Sequence, residues 1–188
     1  MRNFLINTFG ITESDAELFS ASFEKIDLLK GDKFITYGKV SDKIGFVEKG
    51  LLKCTLMGSK KLVIDDFIFE NQFVANYYSF LKQEESNKEI TCLKDSILRV
   101  ITRKKLEELG NKYLFVEKMA RQVSEQLFIS TAEKLEDIRL LNAEERYLKL
   151  LQANRKITEE IPQYEIASYL NISPETVSRI RNKLTLRS

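Results

Sequence analysis

The chain has 188 residues, 43 % hydrophobic and 31 % charged, a composition that suits a soluble globular protein of two small domains or one large one. A net charge of +2 does not by itself announce a nucleic-acid binder. No run approaches the roughly 18–20 apolar residues of a membrane span, and the start, MRNFLINTFGITESD, is too polar to be a secretory signal, so a cytoplasmic location with no membrane partner is expected.

Two absences narrow the chemistry. There is no histidine, which removes most zinc and haem sites and every histidine-using catalytic triad. The two cysteines, Cys54 and Cys92, are too few for a four-cysteine iron–sulfur cluster and lie far apart without a CxxC. In a reducing compartment both read as small buried apolar residues. No metal, cofactor or catalytic residue is expected, and the chain does not read as an enzyme.

From Met1 to about Leu29 the spacing is helical. Thr12 precedes Glu13 and Asp15, acidic residues suited to a first helical turn, and Phe9, Leu18, Phe19 and Phe23 are placed to pack on the next part of the chain. From Leu29 to about Ile101 the character is β. Glycines at 31, 38, 45, 50 and 58 punctuate short apolar or alternating runs, and many short strands with regular turns imply a sandwich or roll rather than a parallel sheet. The aromatic-rich piece FIFENQFVANYYSFL interrupts these runs, and Lys82 to Glu89 is a charged loop.

Helical spacing returns near Arg103, with Gly110 as a stop or break, and a long helix runs from about Lys112 to Leu135. Val116, Met119, Val123 and Leu127 fall at steps of three, four and four. Such a stripe is either a lid on the β domain or the seam of a two-helix dimer interface. Ala143 to Leu151 is a further amphipathic helix, and Asn154 to Ile161 a polar connection.

The tail is the most informative stretch. QYEIASYLNISPETVSRIRNKL, Gln163 to Leu184, reads as two short helices joined by a tight turn. Ile166, Ala167 and Leu170 share one face of the first helix. Asn171 sits where the chain must turn, and Asn tolerates the left-handed conformation. Ser173 followed by Pro174 is a helix-start signal. In the second helix Val177, Ile180 and Leu184 face the first, while Glu175, Ser178, Arg179 and Asn182 fall on another face. From Pro174 onward four basic residues (Arg179, Arg181, Lys183, Arg187) stand against Glu175 alone, a local charge of +3. A small residue, a turn residue four later and a branched apolar residue ten later form the helix-turn-helix pattern. Glu175 could then accept from a cytosine amino group and Arg179 donate to guanine. An ordinary helical hairpin with a solvated polar face is the bland alternative. With such a reader downstream, the stripe on the long helix favours the dimer seam, because paired half-sites require two-fold symmetry.

The order of parts resembles the Crp/Fnr family of bacterial transcription regulators. The likeness rests on KGDKFITYGKVSDKIGFVEKGLLK in the β region and IPQYEIASYLNISPETVSRI in the tail. It implies an α+β chain with a cyclic-nucleotide-binding-like β-roll (a jelly roll with flanking helices) over 1–111. A long connecting and dimerisation helix over 112–136 and a helix-turn-helix DNA-binding domain over 137–188 complete it. It also implies double-stranded DNA, a second copy of the chain and RNA polymerase as partners.

By the same resemblance Glu175, Ser178 and Arg179 fall where the family reads bases, Thr176 beside them, and Gln163 where members contact the DNA backbone. Arg181 and Lys183 are added from charge. Members that bind cyclic AMP hold it with a Gly-Glu pair and an Arg-Ser or Arg-Thr pair. Here those positions fall at Ala75 and Asn76, followed by Tyr77, and near Asn87 and Lys88, without a well-placed arginine. A phosphate diester needs a positive or N–H-rich cradle, so a small-molecule effector, if one exists, is expected not to be cyclic AMP. Only Thr185 to Ser188 come after the second helix, which leaves little room for the β-hairpin wing of many members. The competing reading is a ligand-binding roll whose helical tail docks a protein.

Overall fold

The structure, a computed structural model, describes residues 1–58, 62–153 and 157–185. In chain order the elements are α1 (Arg2–Phe9), α2 (Glu13–Ala21), β1 (Glu24–Leu28), β2 (Lys33–Ile35), β3 (Lys43–Lys49), β4 (Leu52–Met57), β5 (Leu62–Ile68) and β6 (Phe73–Val74). Then come α3 (Tyr77–Lys82), β7 (Lys88–Cys92), β8 (Ser96–Thr102), α4 (Arg103–Lys112), α5 (Leu114–Leu140), α6 (Ala143–Ala153), α7 (Ile157–Glu160), α8 (Gln163–Leu170) and α9 (Pro174–Thr185). The chain divides into two compact units, Met1–Ser124 and Glu125–Ser188. The first turns of α5 belong to the first unit and the rest of the helix to the second.

In the first unit two four-stranded antiparallel sheets face each other, in the orders β1-β8-β3-β6 and β2-β7-β4-β5. Strand alternation sorts the side chains of β8. Leu98 and Val100 enter the layer between the sheets, where Phe34, Val47, Leu52, Cys54, Ile90 and Cys92 also pack, whereas Ile101 faces the helices. Both cysteines are free and buried, as expected, and burial is the first cause that pushes the Cys92 thiol up and keeps it protonated. A bulge between Cys54 and Thr55 leaves Asp65 as the extra residue of β5, and its carboxylate accepts from Lys88 Nζ at 2.6 Å.

A helical layer covers the other face of the first sheet. Thr12 caps α2, its hydroxyl accepting from the Asp15 amide at 3.1 Å, and Phe19 and Phe23 are buried. Phe4, Phe46 and Phe73 meet with ring centroids 5.2–5.9 Å apart, joining α1 to the sheet. Leu109 of α4 and Val116 and Met119 of α5 close this layer. Three local features depart from the sequence reading. Strand β1 starts earlier than Leu29, α4 runs through Gly110, and the aromatic piece contains the helix α3. The Asn76 side chain caps α3 by accepting from the Ser79 amide. Among the described residues no helix is long and apolar enough to cross a membrane.

Gly50 marks the sharpest backbone constraint of the roll. Its φ is +117°, and a Cβ there would lie 2.2 Å from Ser96 Oγ and 2.8 Å from Ser96 Cα. The second contact is to backbone and cannot swing away. Gly50→Ala is expected to destabilise the first unit by about 3 kcal/mol, read as a lowered urea midpoint at unchanged slope; a wild-type midpoint would show that the β3–β4 turn can relax.

Candidate nucleic-acid interface

The second unit is built around the crossing of α8 and α9. Ile166, Ala167, Leu170, Val177 and Ile180 are all buried, Ile166 and Val177 completely. Ala167 stands where the helices meet, and its lack of side-chain bulk allows the close approach. The turn follows the expected chemistry. Asn171 adopts φ 53°, ψ 46°, and the Ile172 amide donates back to the Ala167 carbonyl at 3.0 Å, closing the end of α8. The Ser173 hydroxyl accepts from the Thr176 amide at 3.2 Å and starts α9, with Pro174 in its first turn.

Outside this core, the candidate residues part company. Glu175 and Arg179 are exposed, Thr176 and Ser178 half-buried. Arg179 engages no partner among the described residues. The Glu175 carboxylate accepts from its own backbone N–H and from Ser173; these two bonds hold its pKa below the usual carboxylate range, so it stays anionic at neutral pH. Gln163 lies at the start of α8, where its side-chain Nε2 donates to the Pro174 carbonyl at 2.7 Å and ties the two helices' first turns.

The two cations assigned from charge are engaged within the protein. Arg181 Nε donates to the Tyr147 hydroxyl at 3.0 Å and Nη2 to the Thr158 carbonyl at 3.2 Å. Lys183 pairs with Glu144 at 2.5 Å. The reason for Arg181 is helical geometry. Two residues advance about 200° around a helix, so Arg181 cannot share the face of Arg179. Arg187 lies outside the described residues.

Helix α6 is the surface that receives these cations, and it starts with a capping box. Asn142 Oδ1 accepts from the Glu144 and Glu145 amides at 2.9 and 3.1 Å, while Glu145 accepts from the Asn142 amide at 2.7 Å. The N-x-x-E spacing could have located this start from sequence. Lys149 of α6 pairs with Asp137 of α5 at 2.6 Å, and Lys134 of α5 lies over the Tyr169 ring of α8 at 5.3 Å.

The four residues of the proposed dimer stripe are also divided. Val116 and Met119 are buried in the core of the first unit and so cannot form a seam with another chain. Val123 is half-buried and Leu127 exposed. Further along α5, Phe128, Leu135 and Ile138 are exposed at 76 %, 49 % and 58 %. With Leu127 and Thr131 they span an arc of about 100°. The sequence stripe drifted because the helix changes its packing partner along its length.

Of the effector positions expected from the sequence, Ala75, Asn76 and Tyr77 lie at the start of α3 and Asn87 and Lys88 at the start of β7, and they differ in exposure. Asn76 is buried and donates to Ser86 Oγ at 2.7 Å; Ser86 donates to the Lys88 carbonyl at 2.7 Å, and Ser79 to the Glu84 carbonyl at 2.6 Å. Burial pulls the Lys88 pKa down, but the hydrogen bond and charge of Asp65 outweigh it and the net shift is upward. Ala75 is half-buried, Asn87 exposed, and the Tyr77 hydroxyl bonds to Ser124 at 2.9 Å. Of the aromatic run, Phe80 is core and Tyr78 is exposed.

No protein-family model and no curated protein sequence matches the chain. Solved structures do match. The regulator CLP of Xanthomonas campestris is 16 % identical over 94 % of this chain and 93 % of its own, with a TM-score of 0.70. CooA of Carboxydothermus hydrogenoformans, as a mutant, is 13 % identical over 97 % and 83 %, with a TM-score of 0.71. A transcriptional regulator described as of the Crp/Fnr family, from Eubacterium rectale, is 16 % identical over 98 % and 88 %, with a TM-score of 0.69. The chain therefore has the fold of the Crp/Fnr-type regulators, as its sequence resemblance implied.

Proposed function

We propose that the chain is a sequence-specific DNA-binding transcription regulator of the Crp/Fnr type, with α8 and α9 as its helix-turn-helix and α9 as the reading helix. One observation carries this most directly. Helix α9 buries Val177 and Ile180 against α8 while Glu175, Ser178 and Arg179 stay on its outer side, Arg179 with no competing partner among the described residues. Glu175, anionic at neutral pH, accepts from a cytosine amino group, and Arg179 donates two bonds to guanine O6 and N7. Thr176 and Gln163 face the sugar-phosphate backbone, where contacts fix register rather than sequence.

The regulator works as a homodimer on a palindromic operator, since one reading helix per chain requires a second copy to fill two half-sites. The exposed arc of α5, Leu127, Phe128, Thr131, Leu135 and Ile138, is the surface that supports this pairing. The effector is not cyclic AMP. Asn76 bonds to Ser86 Oγ and the Ser79 amide, Ser79 and Ser86 donate to the roll's own carbonyls, and Lys88 is committed to Asp65, so these positions offer no cradle for a phosphate diester among the described residues. RNA polymerase is the further partner of such a regulator.

Three outcomes test the reading. Arg179→Ala is expected to remove the sequence preference in a gel-shift assay with duplexes enriched from a random pool, at a cost of about 1–3 kcal/mol per contact, with the melting temperature unchanged; a retained preference would sink the assignment. Phe128→Asp places a charge in the dimer arc and is expected to sediment as a monomer; an unaltered dimer would move the seam elsewhere. Millimolar cyclic AMP is expected to leave the melting temperature where it is, because a ligand present at about 100 times its Kd would add about 2.7 kcal/mol. A rise would restore the roll as a nucleotide site.

A further inference from the structure

We propose that Arg181 is a positioning residue for DNA reading: its guanidinium sets the rotation of α9 about its own axis by bonding to Tyr147 and Thr158. The inference rests on the DNA-reading proposal and concerns how that same helix is held.

The apolar crossing of α8 and α9 fixes this rotation only coarsely, and the Gln163–Pro174 bond acts on the first turn of α9, away from Arg179. Contacts of Val177 and Ile180 are non-directional, and a small roll of the helix changes the buried area little. Base readout is far less tolerant, since a recognition constellation must be held within about 0.5 Å and 10–20°. A planar guanidinium offers what the apolar face lacks. Its N–H directions are fixed, and Arg181 uses two of them on two different elements: the hydroxyl of Tyr147 on α6 and the carbonyl of Thr158 on α7. Tyr147 is itself only 1 % exposed, so its hydroxyl is a fixed anchor. Lys183 adds a second link to α6 through Glu144. Helix α6 is in turn held to α5 by the Lys149–Asp137 pair.

The position of Arg181 also separates it from direct readout. It lies about 200° around the helix from Arg179. A residue so placed acts through Arg179 and Glu175, by setting where their tips arrive.

The test uses the full chain and duplexes enriched from a random pool by the wild type. Affinity for an enriched duplex and for a random one is measured across salt concentrations for wild type, Arg181→Lys, Tyr147→Phe, the double variant and Arg181→Gln. Lysine keeps the charge but cannot reach two divergent acceptors at once. Arg181→Lys is expected to lose about tenfold on the enriched duplex, as one charged hydrogen bond would, while keeping the wild-type salt slope and random-duplex affinity. Tyr147→Phe is expected to fall in the same direction, and the double variant to lose little more, because both act through one contact.

Wild-type affinity in both Arg181→Lys and Tyr147→Phe would overturn the proposal. So would a salt slope reduced in Arg181→Gln by about 0.9 per lost contact, the mark of a phosphate ligand. Should the arginine variants prove unfolded, Tyr147→Phe decides alone, and its retaining full affinity overturns the role. A wild type that enriches no sequence overturns the DNA reading itself, whereas enrichment without the Arg181 pattern overturns only this role.

Discussion

The close crossing of α8 over α9 is the constraint on which the second unit depends. It exists because Ala167 has almost no side chain, because Asn171 accepts a left-handed turn, and because Ser173 restarts a helix two residues later. Each condition is local, but together they force Val177 and Ile180 inward. The outer face is then no longer a matter of choice. Glu175, Ser178 and Arg179 are left on the outer side by helical period, to within the fine rotation of the helix.

Charge in this unit is divided between two tasks. Counted along the chain, the tail looks like a uniform basic patch. In the structure, Arg181 and Lys183 turn to Tyr147, Thr158 and Glu144, and only Arg179 of the three is left for an outside partner among the described residues. The same division appears in the roll. Asn76 and Lys88, expected from the sequence as effector positions, bond with Ser86 and Asp65, while Ser79 and Ser86 satisfy carbonyls of the loop between α3 and β7. A buried polar group without a partner is costly, so a roll of this shape must satisfy these atoms internally when no ligand does so.

Helix α5 carries two apolar surfaces in turn, on arcs that are offset around the helix. Val116 and Met119 complete a core with Leu5, Phe19 and Leu109, whereas Phe128, Leu135 and Ile138 remain in contact with solvent. An unbroken 3.6-residue pattern carries no mark of where one task ends and the next begins.

The turn at Asn171, the cap at Ser173, the cap at Thr12, the buried faces of α8 and α9 and the many-stranded β region were legible in the chain, because each depends on residues within a turn or two of one another. The fates of Arg181, Lys183, Val116 and Met119 were not. Those side chains are claimed by Tyr147, Glu144 and the aromatic layer of α1 and α2, partners tens of residues away or more. Local periodicity says which way a side chain points. Only the packed chain says what is already waiting there.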